Sequence, residues 1–236
     1  MARYYFLASS LPPMPVAIGE KLARPFSEIG KFILRNIEPE DEPLVRCSLL
    51  AIDTANAEYF LKGQDVFLEG GIMTQEELEG KRHLPPFMKK VFDERDQGNR
   101  RGYGYDILWE GYYAYAYSLA EEMNCRFLID YLSWEISLRN SLVELRAKAM
   151  GKDAEDYQVL SRVRAHDFSG IISNIKAQKN PLKTEVFLDE ERLKRIHYCE
   201  GTDPFSRDTI LGALEKTRIY SRWERLNSIY PIHDII

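Results

Sequence analysis

From Leu108 onward, apolar residues return at every third or fourth position: Leu108, Tyr112, Tyr115, Leu119, Met123, Phe127, Tyr131, Trp134, Leu138, Leu142, Leu145 and Ala149. That is the α-helical period held over many turns. Beyond Gly111 neither Gly nor Pro intervenes until Gly151, which stands where a helix C′ glycine belongs, and Arg146 and Lys148 place cations in the last turn. The stretch from Asp106 to Gly151 therefore predicts a long central helix, spanning on the order of 60 Å. Its bulky, aromatic seam requires partner helices. At Asn124-Cys125 the polar face thins, and two helices meeting there is the alternative.

The remaining pattern is helix after helix. Arg3 to Ser9 reads as a short extended or helical lead-in, stopped by the prolines of LPPMP. Phe26, Ile29, Ile33 and Ile37 give a short helix with Ser27 near its start, and Leu44 to Lys62 gives a longer one that Gly63 ends. Gln64 to Ile72 is Gly-rich and reads as a loop or a brief strand. Thr74 and Glu77 have capping-box spacing before Leu78. Pro85-Pro86 opens a helix over Phe87 to Phe92, and Asp93 to Tyr105 reads as an exposed, mobile loop. Tyr157, Leu160 and Val163, then Phe168, Ile171, Ile172 and Ile175, predict two helical pieces with a break at His166-Asp167. Asn180 to Glu185 reads as a turn. Asp189 to Glu200 reads as a helix capped by Asp189, with acids first, then Lys194, Arg195 and His197, and Gly201 beyond. Asp203-Pro204 begins a final helix through Ile210, Leu214, Tyr220 and Trp223, and the apolar tail SIYPIHDII is expected to dock. The fold class is all-α, antiparallel helical hairpins bundled around the central helix. It forms one all-helical domain, or two lobes over residues 1–105 and 106–236.

Composition narrows the function. In 236 residues, 44% hydrophobic and 29% charged is ordinary for a chain that buries a core. A net charge of -5 gives no electrostatic reason to expect nucleic acid. Cys47, Cys125 and Cys199 lie far apart and form no CxxC pair, which fits buried thiols in a reducing compartment. The apolar run Tyr4 to Ala8 is too short for a signal-peptide core, and no stretch approaches the roughly 18 apolar residues of a membrane span. The expectation is a cytoplasmic protein whose membrane association goes through partners.

Chemistry is sparse. The chain has no phosphate-binding Gly-rich loop, HExxH or GxSxG. His197 and Cys199 are two residues apart and do not share a helix face, so His197 reads as a cation near a helix C-terminus. His166-Asp167 reads as a satisfied loop or cap pair, and Glu76-Glu77 and Glu121-Glu122 as solvated helix faces. Arg139-Asn140 is similar to the start of the motif of HEPN-class helical ribonucleases, an Arg followed by a polar residue and separated from a His by four to six residues. Glu144, Leu145 and Arg146 stand where that His belongs, and Arg162 to His166 is one residue short of the spacing. No catalytic residue, cofactor or metal is expected.

Three patches carry a further resemblance. YYFLASSLP (Tyr4 to Pro12), LLAIDTANAEYFLKG (Leu49 to Gly63) and LRNSLVELRAKAMGKDAED (Leu138 to Asp156) resemble bacterial V-type ATPase operon proteins of unassigned function. The latter two are also similar to helices of the rotary ATPase component whose letter is C in archaeal-type and d in eukaryotic enzymes. Asn140, Leu145, Arg146, Ala147, Lys148 and Gly151 match that component's Asn followed by Leu-Arg-Ala-Lys and a glycine. Asp53, Asn56, Leu61, Lys62 and Gly63 look like a shortened first copy, with Ser137 standing in the second copy where Asp53 stands in the first. The resemblance implies a non-catalytic coupler, built from helical hairpins, between the central stalk and the membrane rotor ring, with stalk and ring subunits as partners. Asp53, Asn56, Arg139, Asn140, Arg146 and Lys148 would then tie hairpins together or face a partner. A ribonuclease and a helical adaptor for an unrelated assembly are the alternatives.

Overall fold

The computed structural model describes residues 3–96, 104–160, 163 and 166–229, and among these there are helices and no strand. The helices are α1 (Tyr5–Ser10), α2 (Phe26–Asn36), α3 (Glu42–Lys62), α4 (Gln75–Glu79), α5 (Pro86–Asp96), α6 (Gly104–Glu122), α7 (Arg126–Met150), α8 (Ser169–Ala177), α9 (Pro181–Cys199) and α10 (Arg207–Ile229), with a 3₁₀ turn at Glu155–Tyr157. The fold is all-α. No helix among the described residues is long and apolar enough to cross a membrane.

The helices gather into two compact units, each assembled from separated segments: residues 1–48, 125–131 and 169–236, and residues 49–124 and 132–168. A cut at 105/106 does not reproduce them. The beginning of α3, as far as Ser48, and the start of α7 belong to the first unit, and the rest of both helices to the second.

In the first unit α10 packs on α9, α2 and α1. Trp223, Ile210, Leu211, Ile33 and Ile196 are fully enclosed there, together with Leu44 and Phe127. Two buried carboxylates stitch these helices. Asp41 accepts from the Tyr4 hydroxyl and from Arg207 Nη1 at 3.1 Å. Burial and the Asp41 carboxylate beside it push the Tyr4 phenol well above its ordinary range. Asp189, within α9, accepts from Arg192 Nη1 (2.8 Å) on one oxygen and from Arg222 Nη1 and Trp223 Nε1 (both 2.7 Å) on the other. Burial also raises the thiols, Cys47 to about 12 and Cys125 and Cys199 to about 11, which keeps all three protonated at neutral pH.

In the second unit α5 and α6 form a hairpin. Gly111 lets them close, because a Cβ there would lie 2.7 Å from Phe87 Cβ. Met88, Phe92, Leu108, Ala116, Ala120, Ile136 and Leu138 fill this core.

Several sequence expectations change. The central helix is two helices, since the chain leaves α6 at Glu122, Asn124 takes a left-handed φ of 48°, and α7 starts at Arg126. Asn tolerates that conformation better than most residues, and it breaks the helix while leaving the apolar period in phase. Residues 180–185 are a helix start and not a turn, because the Asn180 side chain accepts from Leu182 N–H (2.9 Å) and Pro181 occupies N1. Asp189 consequently lies mid-helix and caps nothing. Residues 152–163 hold only the 3₁₀ turn among the described positions. α10 begins at Arg207. Before it, Asp203 accepts from Phe205 N–H and Ser206 Oγ from Thr209 N–H. Asp93 to Asp96 extend α5, Gly104 and Tyr105 open α6, and the rest of that expected loop, like the tail from Tyr230, lies outside the described residues.

Candidate functional site

Asp53 and Asn56 stand three apart on one face of α3 and are each 1% exposed. α3 ends at Lys62, where Gly63 adopts φ 69° and Gln64 N–H bonds back to Tyr59 C=O (3.0 Å), a glycine-dependent stop. The loop 64–73 then returns along the helix. It has no ladder of its own, so its inward peptide groups need side-chain partners. Asn56 supplies a matched pair, its Oδ1 accepting from Leu68 N–H (2.7 Å) and its Nδ2 donating to Leu68 C=O (3.0 Å). Asp53 accepts from Ile72 N–H (2.8 Å) and Met73 N–H (3.1 Å). Thr74 immediately opens α4 through a complete capping box with Glu77.

The approach of loop to carboxylate leaves no space for a side chain at Gly71, where a Cβ would lie 2.0 Å from Asp53 Oδ1. Burial is the larger influence on that carboxyl and outweighs the two amides, which act in the opposite direction, while Glu77 adds a like charge. The result is a carboxyl pushed up to about 6.

α7 repeats the device. Asn140 Oδ1 accepts from Val159 N–H (3.0 Å) and Nδ2 donates to Val159 C=O (2.7 Å). The helix stops in the same way as α3, with Gly151 at φ 64° and Lys152 N–H bonded to Ala147 C=O (2.9 Å). Val159 is buried, and Leu160 beyond it takes φ 43°. Each helix therefore carries an asparagine that grips both peptide groups of one loop residue after a glycine-ended turn.

The other residues singled out in the sequence do different things. Arg139 Nη2 donates to Asp106 Oδ1 (2.7 Å) and ties α7 to α6, while its buried Nε has no hydrogen-bond partner among the described residues. Trp109 Nε1 similarly joins α6 to α3 through Glu58 (2.7 Å). Arg146 and Lys148 are exposed on the last turns of α7, with no ion pair to a described residue. His166 Nε2 lies 3.3 Å from Ser133 Oγ, and His197 is exposed near Glu200. Among the described residues no three His, Cys, Asp or Glu side chains group as metal ligands. Asp53, Asn56 and Asn140 thus fix main chain, Arg139 fixes helix to helix, and Arg146 and Lys148 face solvent. Sequence reasoning misses Leu68, Gly71 and Val159. The Gly70-Gly71 pair signals the loop that holds Leu68 and Gly71, and Val159 has no such signal.

Removing either asparagine orphans a peptide N–H and C=O. We expect Asn56→Ala to lower stability by about 3 kcal/mol and Asn140→Ala, whose bonds are only partly buried, by about 2 kcal/mol. Urea unfolding midpoints at unchanged slope would measure both, and losses under about 0.5 kcal/mol would show that water replaces the grip.

The family described as "Protein of unknown function (DUF2764)" matches residues 1–228. No curated protein and no solved structure matches the chain.

Proposed function

We propose that this chain, which belongs to the DUF2764 family, is a non-catalytic subunit or accessory protein of a V-type rotary ATPase, coupling the central stalk to the membrane rotor ring. The observation that carries the reading is the repeated asparagine grip. The sequence patches at Leu49 to Gly63 and Leu138 to Asp156, which resemble two helices of a rotary ATPase stalk component, fold here into two like devices, each a helix, a left-handed glycine stop and an asparagine holding the returning loop. Such devices suit a load-bearing part. They remove freedom from loops through buried or partly buried hydrogen bonds, and the polar side chains that make them are occupied in holding main chain. Arg139, engaged with Asp106, supports the same mechanical role. Membrane contact follows through partners.

The reading is tested by tagging the chromosomal copy, solubilising native membranes mildly and purifying the tagged complex. Stalk and ring subunits should be recovered in near-stoichiometric amount and lost when the ATPase is dissociated. Recovery of the tagged chain without them, from cells that express the ATPase, would refute the reading. RNA cleavage that disappears in Arg139→Ala would replace it with a nuclease.

A further inference from the structure

We propose that the outer face of α1 and α2 in the first unit is a self-association surface, on which a second copy of this chain docks about a two-fold axis with the two α2 helices antiparallel. This goes beyond the rotary ATPase reading and does not depend on it. α1 turns Tyr4 and Leu7 into the core, each 2% exposed, whereas the two rings between them face water, Tyr5 at 62% and Phe6 at 65% exposed. Neither ring stands alone. Tyr5 lies against Phe205, with centroids 4.9 Å apart, and Phe6 against Phe32 of α2 at 6.5 Å, so the patch spans both helices. Tyr5 and Phe6 by themselves leave on the order of 250 Å² of ring surface in water. Aromatic anchors of this kind supply most of the affinity of protein interfaces.

The charges of α2 indicate what covers the patch. α2 buries Phe26, Ile29, Gly30 and Ile33. On the opposite, exposed side Glu28 and Arg35 stand about two helical turns apart, with Lys31 and Phe32 between them. Glu28, Lys31 and Arg35 form no ion pair among the described residues. One end of the face is therefore acidic and the other basic. A partner of a single charge would match half of it and be repelled by the rest. A second α2 laid antiparallel matches both halves, because rotation about a two-fold axis between Lys31 and Phe32 sets Glu28 of each copy against Arg35 of the other. The same rotation keeps α1 of both copies on one flank, so their Phe6–Phe32 edges meet and the rings leave water together. An interface of modest area with exposed charge pairs is weak, and a dissociation constant on the order of 10 μM is expected.

Sedimentation velocity on the purified full chain, from about 1 to about 200 μM, tests the surface and should show a reversible monomer–dimer equilibrium. Phe6→Ser should weaken it roughly tenfold or more. Glu28→Arg and Arg35→Glu, both at exposed side chains, should each weaken it by at least about tenfold, because like charges then oppose one another twice. Mixed in equal amounts, these two variants should pair with each other, and both changes in one chain should restore the dimer. Each acid again meets a base. Recovery on mixing also shows that neither variant has merely misfolded. A native chain that stays monomeric at the highest concentration overturns the proposal. So does a dimer unaffected by Phe6→Ser or by the single charge reversals, or a pair of reversed variants that fails to associate when mixed.

Discussion

Gly71→Ala should lower stability by about 3–4 kcal/mol, a large loss for a single methyl group. The new Cβ would lie 2.0 Å from Asp53 Oδ1 and 2.6 Å from Cγ, so either the carboxylate or the loop must leave its place. Asp53 sits on a short side chain held at both oxygens, and its displacement strands the Ile72 and Met73 amides. The cause can be isolated with a double-mutant cycle. Asp53→Ala alone loses the bonds but opens space, so Gly71→Ala added to it should cost at least about 1 kcal/mol less than in the native background. Strict additivity in urea unfolding would mean that the loop yields elsewhere and that the contact with Asp53 is not what excludes a side chain.

The second large effect is expected in the first unit, where Asp189→Ala should cost about 3–5 kcal/mol. Asp189 is 2% exposed and is the shared acceptor for Arg192, Arg222 and the Trp223 indole. Its removal leaves an indole N–H without an acceptor inside the core and two guanidinium groups without their carboxylate. Arg222 keeps a second anchor on Glu185 (2.9 Å), so the damage should concentrate at Trp223 and be seen as a red shift of tryptophan emission before global unfolding. A variant that retains the native midpoint would show that the indole and the arginines find other acceptors.

Much of the fold is legible in the sequence because its signals are local. The capping box at Thr74 and Glu77 and the glycine stops at Gly63 and Gly151 can be read from a few neighbouring residues, and they are present. The break between α6 and α7 is harder to see. The apolar period runs through it in phase, and only the left-handed Asn124 marks it. Asn180-Pro181 illustrates a true ambiguity, since the same pair signals a turn or an N-cap with proline at N1, and the choice depends on what the following helix packs against. Asp189 reads as a cap in sequence because acids follow it, whereas two of its partners lie more than thirty residues away in α10. Asn56 and Asn140 stand out as amides in helix interiors, but their partners do not. A peptide group leaves no trace in composition or period.

Recognition through the main chain has an evolutionary consequence. Asn56 and Asn140 grip the peptide unit of positions 68 and 159 and not the side chain attached to it, so as far as hydrogen bonding is concerned every amino acid with an N–H serves there and only proline is barred. The connecting segments 64–67 and 152–158 can therefore drift in sequence, or be replaced by a designer, while the asparagines and the glycines at 63 and 151 stay constant. Surface specificity can be rewritten on such segments without altering the scaffold that carries them.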